Sequence, residues 1–118
     1  MEWNDVGIVL SSRKYGESSI ILTLLTENHG RHLGVVRGGA GRRARGLYEP
    51  GNLLSARWRA RISDHLGGFN CELINANAAL LLDNPLKLAA LSAACALAEV
   101  TLPERFAEPI LFEGFTAL

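Results

Sequence analysis

The sequence predicts a small, mainly β protein with helices at its C-terminal end. Residues 1–76 contain five short apolar stretches separated by turns rich in Gly, Asn and Pro, with no helical pattern between them. From about Asn77 onward the apolar residues instead recur at spacings of three and four, the period of an α-helix. With 118 residues, 48% of them hydrophobic, the chain has room for one folded core and the start of a second domain.

The five apolar stretches are typical of strands in one barrel. Residues 6–11 alternate with the period of two that a half-buried strand needs. The later strands are predicted at residues 19–26, 31–37, 53–62 and 69–76. Five short strands without an interleaved helix favour a closed, five-stranded OB-fold barrel over an α/β sheet. A small sandwich or an SH3-like barrel fits the same periodicity.

The last third of the sequence predicts the beginning of a helical domain. Asn84 and Pro85 have the N-cap and first-turn preferences that start a helix. The residues on one face of this helix are Leu88, Leu91, Cys95, Ala98 and Leu102. Since most other positions are alanine, we expect the helix to be buried on more than one side. We expect an OB-fold domain over residues 1–77 and the truncated start of a longer helical domain over residues 78–118.

A further helix is predicted to begin near Pro109, and no capping residue closes it before Leu118. The helix after Pro85 is not predicted to cross a membrane. Only 11 uncharged residues separate Lys87 from Glu99, whereas a membrane span needs about 20 apolar ones. The N-terminal residues carry Glu2 and Asp5 and do not resemble a signal peptide, so we expect a cytoplasmic protein.

The charges are distributed unevenly along the chain, although they sum to zero. Residues 1–62 contain ten basic and five acidic residues, a balance of +5, and residues 63–118 contain two basic and seven acidic residues, a balance of −5. Such asymmetry between halves is typical of chains that bind nucleic acid or another anionic surface. The predicted barrel is therefore the half that would bind a polyanion.

Arginine alternates with other residues in one predicted strand. Arg57, Arg59 and Arg61 would project from one face of this strand, while Trp58 and its alternate neighbours would project from the other. Alternating charges often lie on a solvated outer face without a ligand. Here no acidic residue alternates with the arginines, so the face would repel itself unless an anion neutralised it.

Residues 38–46 combine four glycines with the arginines Arg42, Arg43 and Arg45, and Arg37 precedes them. A flexible, basic loop can mould itself to phosphates, or it can be a mobile connection that is merely soluble. Gly39, Gly41 and Ala44 have the spacing of a dinucleotide-binding fingerprint, but residues 48–51 would break the required helix and no β-α-β unit surrounds it.

Other residue types give no catalytic or metal-binding constellation. Cys71 and Cys95 lack ligand spacing and are expected to be buried, reduced thiols, and His29 and His32 are expected at the surface. No Ser, His and Asp arrangement has a nucleophile motif. The sequence therefore predicts a protein that is not an enzyme and has no cofactor. The aromatic residues that could stack on bases are Trp3, Tyr15 and Tyr48, with Trp58 and Phe69 expected in the core.

Several segments, taken in order and spacing, carry a family resemblance. They are residues 2–10 (EWNDVGIVL), 15–18 (YGES), 24–31 (LLTENHGR), 36–39 (VRGG) and 49–52 (EPGN). Their succession resembles the N-terminal region of the bacterial recombination mediators of the RecO family, and the similarity covers nearly the whole chain.

The resemblance implies an N-terminal OB-fold, a following helical domain and a role in recombinational DNA repair at the nucleoid. It further implies binding of single- and double-stranded DNA, strand annealing and, together with RecR, loading of RecA onto DNA covered by single-strand-binding protein. Many members hold zinc with a cysteine cluster in the helical domain. That cluster is not present in these 118 residues, so either it lies beyond Leu118 or this member lacks it.

By region and charge, the basic OB surface of the family corresponds here to Arg37, Arg42, Arg43, Arg45, Arg57, Arg59 and Arg61. Arg13, Lys14 and Arg31 are further candidates in the same half. An alternative function is a protein-interaction module whose basic face captures the acidic tail of single-strand-binding protein. A third is an RNA-binding barrel of the translation machinery.

Overall fold

The computed structural model describes residues 1–61, 66–77 and 84–101, and the fold is given for these residues. Five strands and two helices follow one another along the chain. In order they are β1 (Glu2–Tyr15), β2 (Ser19–Thr26), β3 (Gly30–Val36), α1 (Arg42–Arg45), β4 (Leu53–Arg59), β5 (Gly68–Asn75) and α2 (Pro85–Thr101).

The five strands close into a barrel in the order β1-β2-β3-β5-β4, with β4 pairing back onto β1. All pairings are antiparallel except that of β3 with β5, which is parallel and joins Val35 to Gly68. This is the arrangement of an OB-fold barrel. The prediction of a mainly β protein with a five-stranded OB-fold and a C-terminal helix is confirmed.

Strand β1 is longer than the sequence pattern indicated, and the expectation of a half-buried strand is wrong for its centre. Its first half pairs with β4 and its second half with β2, with an irregularity between Val9 and Ser11. Val9 belongs to the barrel core, whereas Ile8 and Leu10 on the other side are buried with residues of α2. The strand is covered on both faces because α2 packs against the outside of the barrel.

Helix α1 corrects the expectation that no helix interrupts the strands. It is a single turn between β3 and β4 that begins after Gly41, an extended residue. Just after the helix, the Tyr48 amide donates a hydrogen bond of 3.3 Å to the carbonyl oxygen of Ala44, and the Tyr48 ring is buried in the core. Four residues are too few for a dinucleotide-binding helix, and β3 and β4 are not neighbours in the barrel. The fingerprint is therefore excluded.

The barrel core is centred on Trp58, whose indole nitrogen donates hydrogen bonds to the carbonyl oxygens of Leu33 and Leu66, both at 3.2 Å. The other buried residues of this core are Val9, Ile20, Leu22, Leu24, Val36, Tyr48, Leu54, Ala56 and Phe69. The expectation that Trp58 and Phe69 lie in the core is confirmed. The indole nitrogen thus links β4 to β3 and to the residues just before β5.

Helix α2 begins as predicted, because the Asn84 side chain accepts a hydrogen bond from the Lys87 amide at 3.2 Å. Of the predicted apolar face, Leu91, Cys95 and Ala98 are buried against β1. The Leu88 side chain, Leu102 and the helix predicted near Pro109 lie outside the described residues.

The opposite side of α2 is not buried, contrary to expectation. Leu86 and Val100 are 84% and 79% exposed. Only the side that faces β1 is packed in the part of the chain that the structure describes. None of the described helices has the length and apolar character that a membrane crossing requires.

Candidate nucleic-acid interface

Strand β4 presents its arginines as the sequence predicted. Arg57 and Arg59 are exposed, while Ala56 and Trp58 between and beside them are buried in the barrel. Arg61 is also exposed and follows the end of the strand. The alternation is therefore real, and it places two guanidinium groups on the outer surface of the barrel.

These two arginines line a groove of about 690 Å³ together with a third, Arg37, which directly follows β3. We call it the arginine groove. Its remaining lining residues are Val35, Val36, Tyr48, Gly68, Phe69 and Asn70. The groove lies where β3 and β5 pair, which brings Arg37 close to the outer face of β4 although the two are far apart in sequence. Among the residues that the structure describes, the lining carries three positive charges and no carboxylate.

A carboxylate nevertheless contacts two of the arginines. Glu2 lies opposite Arg59 in the β1–β4 register. Its Oε1 is 3.0 Å from Nε of Arg57, and its Oε2 is 3.3 Å from Nε of Arg59. Although no acidic residue alternates with the arginines within β4, Glu2 of the neighbouring strand therefore supplies an anion to this face. Sequence reasoning missed Glu2 because only the pairing of β1 with β4 brings it there.

The outer surface beside the arginine groove is mixed in charge. A neighbouring depression of about 270 Å³ is lined by Asn4, Ser55, Ala56, Arg57, Asn70 and Glu72. Arg61 lies on the other side, in a depression of about 340 Å³ that it shares with Arg59 and Glu2. Of these three depressions, only the arginine groove has no acidic residue among its described lining residues.

The other basic candidates lie in different places. Arg13 forms an ion pair of 2.6 Å with Glu99 of α2, so it connects the helix to the barrel. Lys14 lines a separate depression of about 330 Å³ that also contains Glu17 and Glu49. Arg31 is half-buried on β3, and Arg42 is exposed in α1.

The side chains of Arg43 and Arg45 lie outside what the structure describes. Of the ten basic candidates, the described geometry therefore brings Arg37, Arg57 and Arg59 together in one groove, with Arg61 beside them.

The aromatic candidates are mostly engaged within the protein. Trp3 stacks on His29, with ring centroids 4.0 Å apart, and also packs near Trp58. Nδ1 of His29 lies 2.7 Å from Oδ2 of Asp5, within hydrogen-bond distance. His32 is buried with its ring 4.6 Å from that of Trp58, so the prediction of a surface position is wrong for His32.

Tyr48 cannot stack on a base because it belongs to the core, and burial, with a smaller effect of Cys71, raises its pKa to about 12. Tyr15 is exposed at the end of β1 and stays a candidate platform.

Both cysteines are free thiols. Burial raises the pKa of Cys71 to about 12 and that of Cys95 to about 11. Both therefore remain protonated at neutral pH and are poor nucleophiles and metal ligands. Within the described residues, no three His, Cys, Asp or Glu side chains gather in a way that could hold a metal ion.

Two comparisons with known proteins, one with a family model and one with curated relatives, indicate the same family. The family model for the N-terminal region of recombination protein O matches residues 1–77. The DNA repair protein RecO of Rhodospirillum centenum is 52% identical over 118 residues, and that of Rhodospirillum rubrum is 50% identical over 118 residues. Each alignment covers 100% of this chain and 47% of the relative.

The DNA repair protein RecO of Gluconacetobacter diazotrophicus is 49% identical over 116 residues, which are 98% of this chain and 46% of the relative. The chain spans about half the length of the curated relatives it matches. The barrel, the matched N-terminal region and the identity over the whole chain agree with one another, and the chain belongs to the recombination protein O family.

Proposed function

We propose that this chain is a DNA-binding module of a recombination and repair protein, and that the arginine groove holds the nucleic-acid backbone. The observation that carries the proposal is the convergence of Arg37, Arg57 and Arg59 on one groove, whose described lining residues include no carboxylate. Guanidinium groups suit this role because their planar donors match phosphate oxygens and their charge does not titrate.

Binding through this groove is independent of base sequence. Phe69 and Tyr48 line the groove but are buried, so they offer little aromatic surface on which bases could stack. The phosphates remain as the principal ligand. A site of this kind accepts single- and double-stranded DNA. It also lowers the repulsion between two strands held side by side, which favours their annealing.

The wider role that we propose follows from the family. In it, the module acts at the nucleoid, in the cytoplasm, as a mediator without catalytic activity of its own. Together with RecR it assists the loading of RecA onto DNA covered by single-strand-binding protein. The exposed Arg42 and Arg61, together with Arg43, Arg45, Arg31 and Lys14, extend the proposed DNA contacts beyond the groove.

Substitution of the groove arginines tests the proposal. We expect Arg57→Ala together with Arg59→Ala to weaken binding of a labelled single-stranded oligonucleotide at least about tenfold, because hydrogen bonds to charged groups are each worth about 1.5–3 kcal/mol. Lys87→Ala is the control, since this basic residue is exposed on α2 and is not among the groove residues. An equal loss in both proteins, or no loss in the double variant, would contradict the proposal.

One observation favours a second candidate function, the capture of an acidic peptide such as the tail of single-strand-binding protein. Arg57 and Arg59 already hold a carboxylate, that of Glu2. The double variant separates the candidates when its affinity for an acidic peptide and for DNA is measured in parallel. Loss of peptide binding with unchanged DNA binding would assign the groove to the peptide.

A further inference from the structure

We propose that Glu2 is an internal counterion of the arginine groove, which a bound phosphate must displace, and that it thereby limits the affinity of the groove for polyanions. This inference rests on the proposed function, because it concerns the regulation of the same site. Its basis is the bridge that Glu2 forms between the two β4 arginines, one carboxylate oxygen to each.

The contact geometry makes the carboxylate a competitor of phosphate. Glu2 accepts from Nε of Arg57 at 3.0 Å and lies 3.3 Å from Nε of Arg59. A guanidinium offers two edges for a bidentate contact, one of which includes Nε. With Nε engaged, that edge is occupied on both arginines. A phosphate can then use only the remaining edge, or it must displace the carboxylate.

The position of Glu2 is imposed by the barrel. Glu2 pairs with Arg59 in the β1–β4 register, and the next residue, Trp3, packs between His29 and Trp58. The strand register therefore places the Glu2 side chain beside two of the three groove arginines. The negative charge of this side chain lowers the potential that attracts a polyanion.

Glu2 could also help DNA binding by holding the two arginines in place. The exposure of the three side chains indicates that its competition with phosphate is the larger effect. The side chains of Glu2, Arg57 and Arg59 are 42%, 52% and 70% exposed. Exposed ion pairs are weak and hold long side chains loosely, so they contribute little orientation. The charge of Glu2, in contrast, acts on every phosphate in the groove.

The test compares Glu2→Gln with Glu72→Gln in the full chain. Glu72 is the matched control because it is exposed on the adjacent strand β5 and lines a depression with Arg57. Among the described residues it forms no ion pair with the groove arginines. Binding of a labelled single-stranded oligonucleotide is measured at several salt concentrations for both variants. Glu2→Gln is also placed in the Arg57→Ala, Arg59→Ala background.

We expect Glu2→Gln to tighten oligonucleotide binding about threefold to tenfold, the range that two exposed ion pairs represent. The gain should exceed that of Glu72→Gln, shrink at high salt and disappear when both arginines are absent. An equal gain in the two glutamine variants would overturn the proposal. Weaker binding by Glu2→Gln would also overturn it, and would make Glu2 a residue that positions the arginines.

Retention on a heparin column separates this inference from the proposed function. Heparin is a sulfated polyanion, so the salt concentration that elutes each variant reports on the groove even if DNA is not its ligand. Later elution of Glu2→Gln than of wild type and Glu72→Gln supports the counterion role. Identical elution of all three contradicts it. A protein without affinity for any oligonucleotide contradicts the proposed function alone.

Discussion

Gly67 shows how much the barrel depends on single residues, because it lies directly against the buried indole of Trp58. Its backbone has φ +72°, and a Cβ at this position would lie 2.6 Å from two indole atoms. Gly16 has nearly the same conformation, with φ +69°, but nothing lies within 4 Å of its Cβ position. Alanine substitutions at these two glycines therefore separate the cost of backbone strain from the cost of crowding the core.

We expect Gly16→Ala to lower the free energy of unfolding by about 1–2 kcal/mol, the cost of a left-handed conformation. Gly67→Ala should lower it by about 2–5 kcal/mol, because crowding of the core is added. Urea unfolding followed by tryptophan fluorescence measures both values. Equal losses would show that the indole moves aside without cost.

The two thiols are expected to be unreactive in the folded protein. Burial raises the pKa of Cys71 to about 12 and that of Cys95 to about 11, so little thiolate exists at pH 8. A thiol reagent at pH 8 should label both cysteines at least about tenfold more slowly in the native protein than in urea. Equal rates in the two states would contradict the burial of Cys95 and the partial burial of Cys71.

The same pKa shifts give the pH dependence of stability. The ordinary thiol pKa of 9.0 applies to the unfolded chain, and the folded state holds its protons to higher pH. The stabilisation is therefore complete below about pH 9 and is lost as the pH rises towards 12. We expect the urea midpoint to fall between pH 9 and pH 11, and a smaller fall when Cys71 is replaced by serine. A midpoint that is constant over this range would contradict the account.

At the residue scale, the sequence predicted the arginines of the site but not their counterion. Alternation along β4 is local, so the exposure of Arg57 and Arg59 follows from the neighbouring residues. The contact with Glu2 depends on the register between β1 and β4, which local patterns do not specify. His32 is buried against Trp58, although its place beside a turn predicts a surface residue, and Tyr48, a candidate platform for bases, belongs to the barrel core.

At the scale of elements, the described part of α2 packs on the barrel through three buried side chains of one face, beside the Arg13–Glu99 ion pair. Leu91 packs against β1 residues. It also lies so close to Gly51 that a Cβ added to this glycine would be 2.3 Å from Cδ2 of Leu91. Leu86 of the same helix is 84% exposed. Leu91 therefore probes the packed side of α2, and Leu86 probes its exposed side.

We expect Leu91→Ala to lower the free energy of unfolding by about 2–4 kcal/mol, since it leaves a cavity between α2 and the barrel. Leu86→Ala should change it by less than about 0.5 kcal/mol. Chemical unfolding of the two variants gives both numbers. A similar small effect of both substitutions would show that α2 does not stabilise the barrel.

The five strands could be predicted because each is bounded by turn residues, and Gly16, Gly30 and Gly67 indeed have positive φ. The length of β1 and the single turn of α1 could not be predicted from the sequence. The centre of β1 is covered on both faces, which removes its alternation, and four residues are too few to produce a helical period. The outer face of β1 is covered by α2, which is distant from it in sequence.

At the scale of the molecule, the net charge of zero conceals the function that we propose. The basic half of the sequence supplies four of the five barrel strands, and the fold gathers three of its arginines into one groove. Neither the total charge nor any single motif indicates this, because Arg37 reaches the groove only through the parallel pairing of β3 with β5. The central claim is that this groove binds a polyanionic backbone without reading bases.

The salt dependence of oligonucleotide binding tests this claim most directly. For three phosphate contacts to single-stranded DNA, the logarithm of the association constant should fall with the logarithm of salt concentration with a slope of about −2 or steeper. Oligonucleotides of different sequence should give the same slope. Fluorescence anisotropy with a labelled oligonucleotide between low and high salt measures it. A slope near zero, with binding that persists at high salt, would contradict the account.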